Sequence, residues 1–167
     1  MENIYNEITI ITEIVSAIAI VVSIIYVGIQ FRNNAKATRS ETATNTIGAM
    51  NSWYITIGNN EQSSTLFWNF LANPDSLSAT QRFQAIMNFH GLWLIYQTSY
   101  YLAKEGTLDK RILESLIETV NGVKDQPGFH LYWKTRKSLF FQEFQDYINK
   151  VIESDKVTSK GLYKQMG

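Results

Sequence analysis

Residues 14–31 read IVSAIAIVVSIIYVGIQF, eighteen positions without a charged side chain. Extended back to Thr9, the run covers 23 residues with Glu13 as its one charge. At about 1.5 Å per residue such a helix covers roughly 35 Å, enough for a hydrocarbon core of about 30 Å. The run holds eight Ile, four Val and one Phe. At roughly −0.3 to −0.6 kcal/mol each, these contribute about −4 to −8 kcal/mol to insertion. A Glu near one end costs less than the roughly +3 kcal/mol of a charge at mid-bilayer, so insertion is favoured. A cleaved signal peptide fits badly. Glu2 and Glu7 precede the run without any basic residue, the run is longer than an h-region, and no small-x-small site follows it. The core helix of a soluble domain needs a polar face, and this run has no charged one.

The flanks predict an orientation. No Lys or Arg precedes Arg32, whereas Arg32, Lys36 and Arg39 follow the run closely. The basic side stays cytoplasmic. The expected layout is a short extracytoplasmic tail (1–8), a transmembrane helix (9–31), a juxtamembrane helix (32–60), a helical bundle (61–154) and a polar tail (155–167). The fold class is all-α, one N-terminal transmembrane helix continuing into a cytoplasmic helical bundle.

Composition agrees with that class. The 167 residues carry 15 Lys plus Arg and 15 Asp plus Glu, for zero net charge. A balanced chain argues against a nucleic-acid partner held by phosphate neutralisation. The absence of cysteine excludes disulfides, thiolate metal sites and a cysteine nucleophile. Two prolines and nine glycines favour long helices over a turn-rich β fold.

Beyond Arg32, the spacing of Ala43, Ile47, Met50, Tyr54 and Ile57 predicts one apolar helix face, ended by Gly58-Asn59-Asn60. A short helix is expected over 61–72, with Leu66, Phe67, Phe70 and Leu71 apolar, followed by a turn at Asn73-Pro74-Asp75. Ser78 and Gln81 fit a capping box for a long helix over 79–104. Its expected face is Phe83, Ile86, Met87, His90, Trp93, Leu94, Gln97 and Tyr101, and Gly106 ends it. Further helices are expected over 109–124, 129–138 and 141–154, the first burying Ile112, Leu113, Leu116, Ile117 and Val120.

Several stretches resemble a broad group of uncharacterised bacterial proteins with one N-terminal span and a small helical domain. They are EIVSAIAIVVSIIYVGIQFRNN at 13–34, residues 77–83, residues 100–109 around Lys104-Glu105-Gly106, and residues 127–147 with Trp133 and Phe140. The resemblance implies topology and a bacterial source, and it brings no activity; with the span and its flanks, the expected location is the bacterial inner membrane.

Catalytic motifs are absent from the sequence. There is no G-x-S-x-G, Walker A or G-x-G-x-x-G, and neither His90 nor His130 has carboxylates at metal-ligand spacing. Both histidines read as structural. Glu114 and Glu118 read as a solvated helix face, and Lys134, Arg136 and Lys137 as a surface patch or a contact for anionic headgroups. No enzyme, cofactor or metal is expected.

The most informative pattern is a stripe. Thr9, Thr12, Ser16, Ala19, Ser23, Tyr26 and Gln30 are spaced 3, 4, 3, 4, 3, 4, with Glu13 beside them. The polar members fall within an arc of about 100°. The register continues through Asn33, Ala37, Ser40, Thr44, Ile47, Asn51 and Tyr54. Small and hydroxyl residues on one side let helices approach and hydrogen-bond, and a 3.5-residue repeat implies a left-handed supercoil. The stripe predicts a homo-oligomer in membrane lipid that binds, scaffolds or regulates, with an unknown protein partner open to it at the inner face. Three alternatives stand beside this, one of them an enzyme or a sensor with an aromatic pocket for an apolar ligand, which rests on aromatic content alone. Several copies form a pore lined by the stripe, with Glu13 in its path, or the hydroxyls bond back to their own helix and face lipid while Glu13 sits among headgroups.

The flanking charges generate a test. Cysteines placed at Asn3 and Ser159 are expected to label from opposite sides of the membrane, and labelling of the Ser159 site from outside intact cells overturns the orientation.

Overall fold

A computed structural model describes residues 2–156. Residues 157–167, with most of the expected polar tail and position Ser159, lie outside the described residues. Every described element is helical: α1 (Glu2–Gly58), α2 (Glu61–Ala72), α3 (Ala79–Lys104), α4 (Lys110–Asn121), α5 (Pro127–Arg136) and α6 (Gln142–Glu153), with 3-10 turns at Pro74–Ser76 and Lys137–Leu139.

The chain divides into two compact units, Met1–Ser40 and Glu41–Gly167. In the first, α1 is already helical from Glu2, so the expected tail at 1–8 is a continuation of the helix. Every side chain from Asn3 to Ser40 is exposed. The second unit begins inside α1. Its last turns are therefore part of the bundle, and α1 runs unbroken through the segment expected at 32–60 as far as Gly58.

Local signals set the helix ends. Asn60 caps α2, its side chain accepting from the Ser63 amide at 3.1 Å. Ser78 and Gln81 form the expected capping box, with bonds of 3.3 and 3.0 Å. Asp109 caps α4 through the Arg111 amide at 2.9 Å. Gly106 takes φ +74°, a left-handed conformation that costs glycine nothing, and the chain turns there from α3 to α4.

Helix α3 is the axis of the second unit. Trp93 is 0 % exposed and lies against rings from three other elements: Tyr132 and Trp133 of α5, Phe140 after it and Phe144 of α6. The expected face of α3 is shifted. Ala85, Phe89, Leu92, Tyr96, Ser99 and Ala103 are buried with Trp93, while Phe83, Leu94 and Tyr101 are exposed. Similarly, α1 turns Thr46 and Met50 inward, with Ala43, Trp53 and Ile57 half-buried, and leaves Ile47 and Tyr54 outside. The cause in α1 is Trp53. Its indole donates to the Asn88 carbonyl of α3 at 2.9 Å and its ring meets Phe67 of α2 edge-on, which sets the rotation of the helix. Helix α4 buries the face its spacing predicts through Leu113, Leu116, Ile117 and Val120, with Ile112 half-buried, and α6 buries Phe144 and Ile148.

Two contacts lock the bundle. Lys124 is buried, and its Nζ donates to the Val151 carbonyl at 2.7 Å, to Ser154 Oγ at 2.8 Å and to the Ser154 carbonyl. A cation thus meets the carbonyl end of α6, where the helix dipole is negative. Gly128 lies against α2 so closely that an added Cβ would stand 2.0 Å from the Phe70 carbonyl oxygen and 2.9 Å from Leu71 Cα. Both neighbours are backbone and cannot rotate away. Gly128→Ala is therefore expected to lower the unfolding free energy by at least the roughly 1–3 kcal/mol of core overpacking, read from chemical denaturation of the detergent-solubilised chain. Unchanged stability would mean that α2 and α5 do not meet this closely.

Candidate functional site

Two regions bear on function, the stripe of α1 and the half-buried polar groups of the bundle. In the first unit no part of the most apolar 18-residue window is buried within the chain, and α1 is long and apolar enough to cross a membrane. The regular helix places Thr9, Thr12, Glu13, Ser16, Ala19, Ser23, Tyr26 and Gln30 along one side, all exposed. Arg32, Lys36 and Arg39 follow and are exposed as well.

Three hydroxyls of the stripe bond back to their own helix. Thr9 Oγ1 donates to the Tyr5 carbonyl at 2.9 Å, Thr12 Oγ1 to Ile8 at 2.8 Å and Ser23 Oγ to Ala19 at 2.8 Å. Such bonds satisfy the donor without water and leave the oxygen able to accept a second bond. These three hydroxyls therefore need no aqueous lumen to be stable in hydrocarbon. Beyond residue 40, Thr44, Ile47, Asn51 and Tyr54, which continue its register, are again exposed.

In the bundle, His90 and Tyr132 come together from α3 and α5, with His90 Nδ1 2.7 Å from Tyr132 Oη. Nothing in the sequence marks this pair, whose members stand 42 residues apart. Burial pushes the Tyr132 hydroxyl far above the usual tyrosine range. It therefore stays protonated, donating to Nδ1 when the proton of neutral His90 is on Nε2 and accepting from Nδ1 when it is there. Burial, and then the charge of Arg136, hold His90 below the usual histidine range. The Phe140 ring lies 5.4 Å from the imidazole. His130 is exposed on α5. Among the described residues, no group of three or more His, Asp or Glu side chains could hold a metal ion. Lys104 and Glu143 pair at 2.5 Å, and Arg111 and Asp109 at 2.7 Å, both at the surface.

No family model, curated protein or solved structure matches the chain.

The His90–Tyr132 bond carries a pH signature. A histidine held low in the folded state favours folding when neutral. Its stabilisation is complete above the unfolded value of about 6.5 and is lost as pH falls below it. The melting temperature of the bundle is expected to drop between pH 7.5 and pH 5, with a shallower drop in His90→Gln, whose amide oxygen still accepts from Tyr132. Equal slopes in both proteins would show that His90 is not the group responsible.

Proposed function

We propose that this chain is a single-pass protein of the bacterial inner membrane, with its N-terminus outside and its helical domain in the cytoplasm. It self-associates through the stripe of α1. Its work is binding, scaffolding or regulation at the inner face rather than catalysis. The observation that carries this reading is the wholly exposed apolar window of α1, which finds no cover within its own chain. The basic cluster Arg32, Lys36 and Arg39 supports the orientation.

Self-association draws on a second feature. Lipid tails are as apolar as Ile and Val, so helices in a bilayer associate through close packing and hydrogen bonds rather than through hydrophobicity. The small side chains of Ser16, Ala19 and Ser23 permit the first. The accepting lone pairs of Thr12 and Ser23, and the side chain of Ser16, supply the second. A pore is disfavoured by the back-bonded hydroxyls, which gain little from lining water.

Interhelical bonds of this kind are worth only about 0.6 kcal/mol each on average, so steric bulk is the stronger lever. Ser16→Leu with Ser23→Leu is expected to lower the mass of the complex in nanodiscs and to reduce cross-linking, while insertion is kept. Ile18→Leu with Ile25→Leu, on the other side of the helix, is expected to leave both unchanged. A wild type that is already monomeric, or a double Leu variant of unchanged mass, removes the stripe as an interface.

A further inference from the structure

Residues 134–141, between α5 and α6, read KTRKSLFF and carry three cations and three large apolar side chains. Only Phe140 of these three is buried, its ring stacked on Trp133 at 6.0 Å. Leu139 and Phe141 on either side of it are 57 % and 66 % exposed. Lys134 and Lys137 are exposed and Arg136 is half-buried, and no ion pair among the described residues uses any of the three. No Asp or Glu occurs between Asp125 and Glu143, and Glu143 is paired with Lys104. Leu94 and Tyr101 of α3 are exposed as well, and Gln97, on the same side of that helix, accepts from the Phe141 amide at 2.9 Å. The turn and this side of α3 therefore make one surface, apolar and positively charged.

The surface lies at a defined end of the bundle. Leu94 and Leu102 line one groove with Thr42 and Ala49, so this part of α3 runs beside the turns with which α1 enters the bundle. A turn whose only task is to deliver Phe140 to the core gains nothing from apolar neighbours left in water. A second copy meeting the surface symmetrically would set Lys134 and Lys137 against their own kind. A bilayer answers both halves of it. Anionic headgroups attract the cations, and the boundary between headgroups and acyl chains takes Leu and Phe side chains. Helix α1 is long and apolar enough to cross a membrane, which holds such a bilayer at high effective concentration and lets a weak contact suffice.

We propose that the α5–α6 turn docks the bundle on the anionic face of the bilayer that α1 crosses. Leu139 and Phe141 enter the boundary between headgroups and acyl chains, and Lys134, Arg136 and Lys137 meet lipid phosphates. The proposal rests on α1 as a membrane span and is independent of its self-association.

The test uses the full chain in lipid nanodiscs. The sequence has no cysteine, so Ser138→Cys gives a single site for a nitrobenzoxadiazole label. In discs of phosphatidylcholine with phosphatidylglycerol, the label is expected to emit at shorter wavelength and to be quenched by a lipid with a nitroxide high on its acyl chain. Discs of phosphatidylcholine alone, or about 1 M salt, where the screening length is about 3 Å, are expected to reverse both. A label at Gln62→Cys, exposed on α2, is expected to stay in water throughout. Lys134→Gln with Lys137→Gln is expected to lower the docked-to-free ratio, read from label lifetimes, by roughly 25-fold, about fivefold for each cation. Leu139→Ser with Phe141→Ser is expected to abolish the quenching, and if that pair does not fold, Leu139→Ser alone is expected to weaken it. Equal quenching in both lipids, quenching at the Gln62 site, or quenching undiminished in the folded Ser variant overturns the proposal. A chain retained in the discs whose Ser138 label stays in water removes the docking alone. A chain that the discs do not retain removes the span of α1, and the docking with it.

Discussion

Eighteen consecutive uncharged residues on a helix that buries none of them impose the first condition on this molecule. An Ile or Val side chain left in water forgoes about 1.5–3 kcal/mol relative to burial. The twelve between Thr9 and Phe31 together forgo roughly 20–35 kcal/mol, more than the 5–15 kcal/mol that holds a typical domain folded. Helix α1 is long and apolar enough to cross a membrane, where lipid supplies the cover that the chain does not. The hydroxyls of Thr9, Thr12 and Ser23 make lipid tolerable, because each donates to a carbonyl one turn back. The small residues beside them make a second helix tolerable too.

The second unit solves a different problem. With no cysteine to form a disulfide, it relies on burial and on hydrogen bonds between its helices. Aromatic rings supply much of that burial. Phe89 and Trp93 of α3 meet rings from α2, α5 and α6, mostly edge-on or tilted at centroid distances of 4.8 to 6.2 Å, the arrangement that aromatic quadrupoles favour. Two chain-specific devices complete it. Gly128 lets α5 approach the α2 backbone, and Lys124 closes the carbonyl end of α6.

The sequence made the punctuation of the fold legible and left part of its facing illegible. Gly58, the Ser78–Gln81 box, Gly106 and the boundaries of α2 and α3 are local signals, and each stands where its chemistry puts it. Helices α4 and α6 pack on one side, so their periodicity names the buried face. Helix α3 is enclosed on several sides by α1, α2, α4 and α5. Its apolar residues are spread around it, and spacing alone favours Phe83, Leu94 and Tyr101, which are outside, over Ala85 and Ser99, which are inside. Pairs made by topology carry no local mark. His90 with Tyr132 and Lys124 with Ser154 belong to this class. The stripe of α1 is the opposite case, because every member is set by helical periodicity within one element.

Helix α1 carries two faces in its last turns, and their separation explains how both can be used. The bundle takes Ala43, Thr46, Met50, Trp53 and Ile57. The register of the stripe falls on Thr44, Ile47, Asn51 and Tyr54, each one residue after an inward position and so about 100° around the helix. Packing of the bundle does not occupy these four positions, and Ile47 and Tyr54 are exposed apolar residues among them. The misread face of α1 has its origin here. Ile47 and Tyr54 are apolar and correctly spaced, but the indole bond from Trp53 to Asn88 turns them outward. The two faces therefore differ in what they meet: one closes the core of the bundle, and the other, about 100° around the helix, is left uncovered by it.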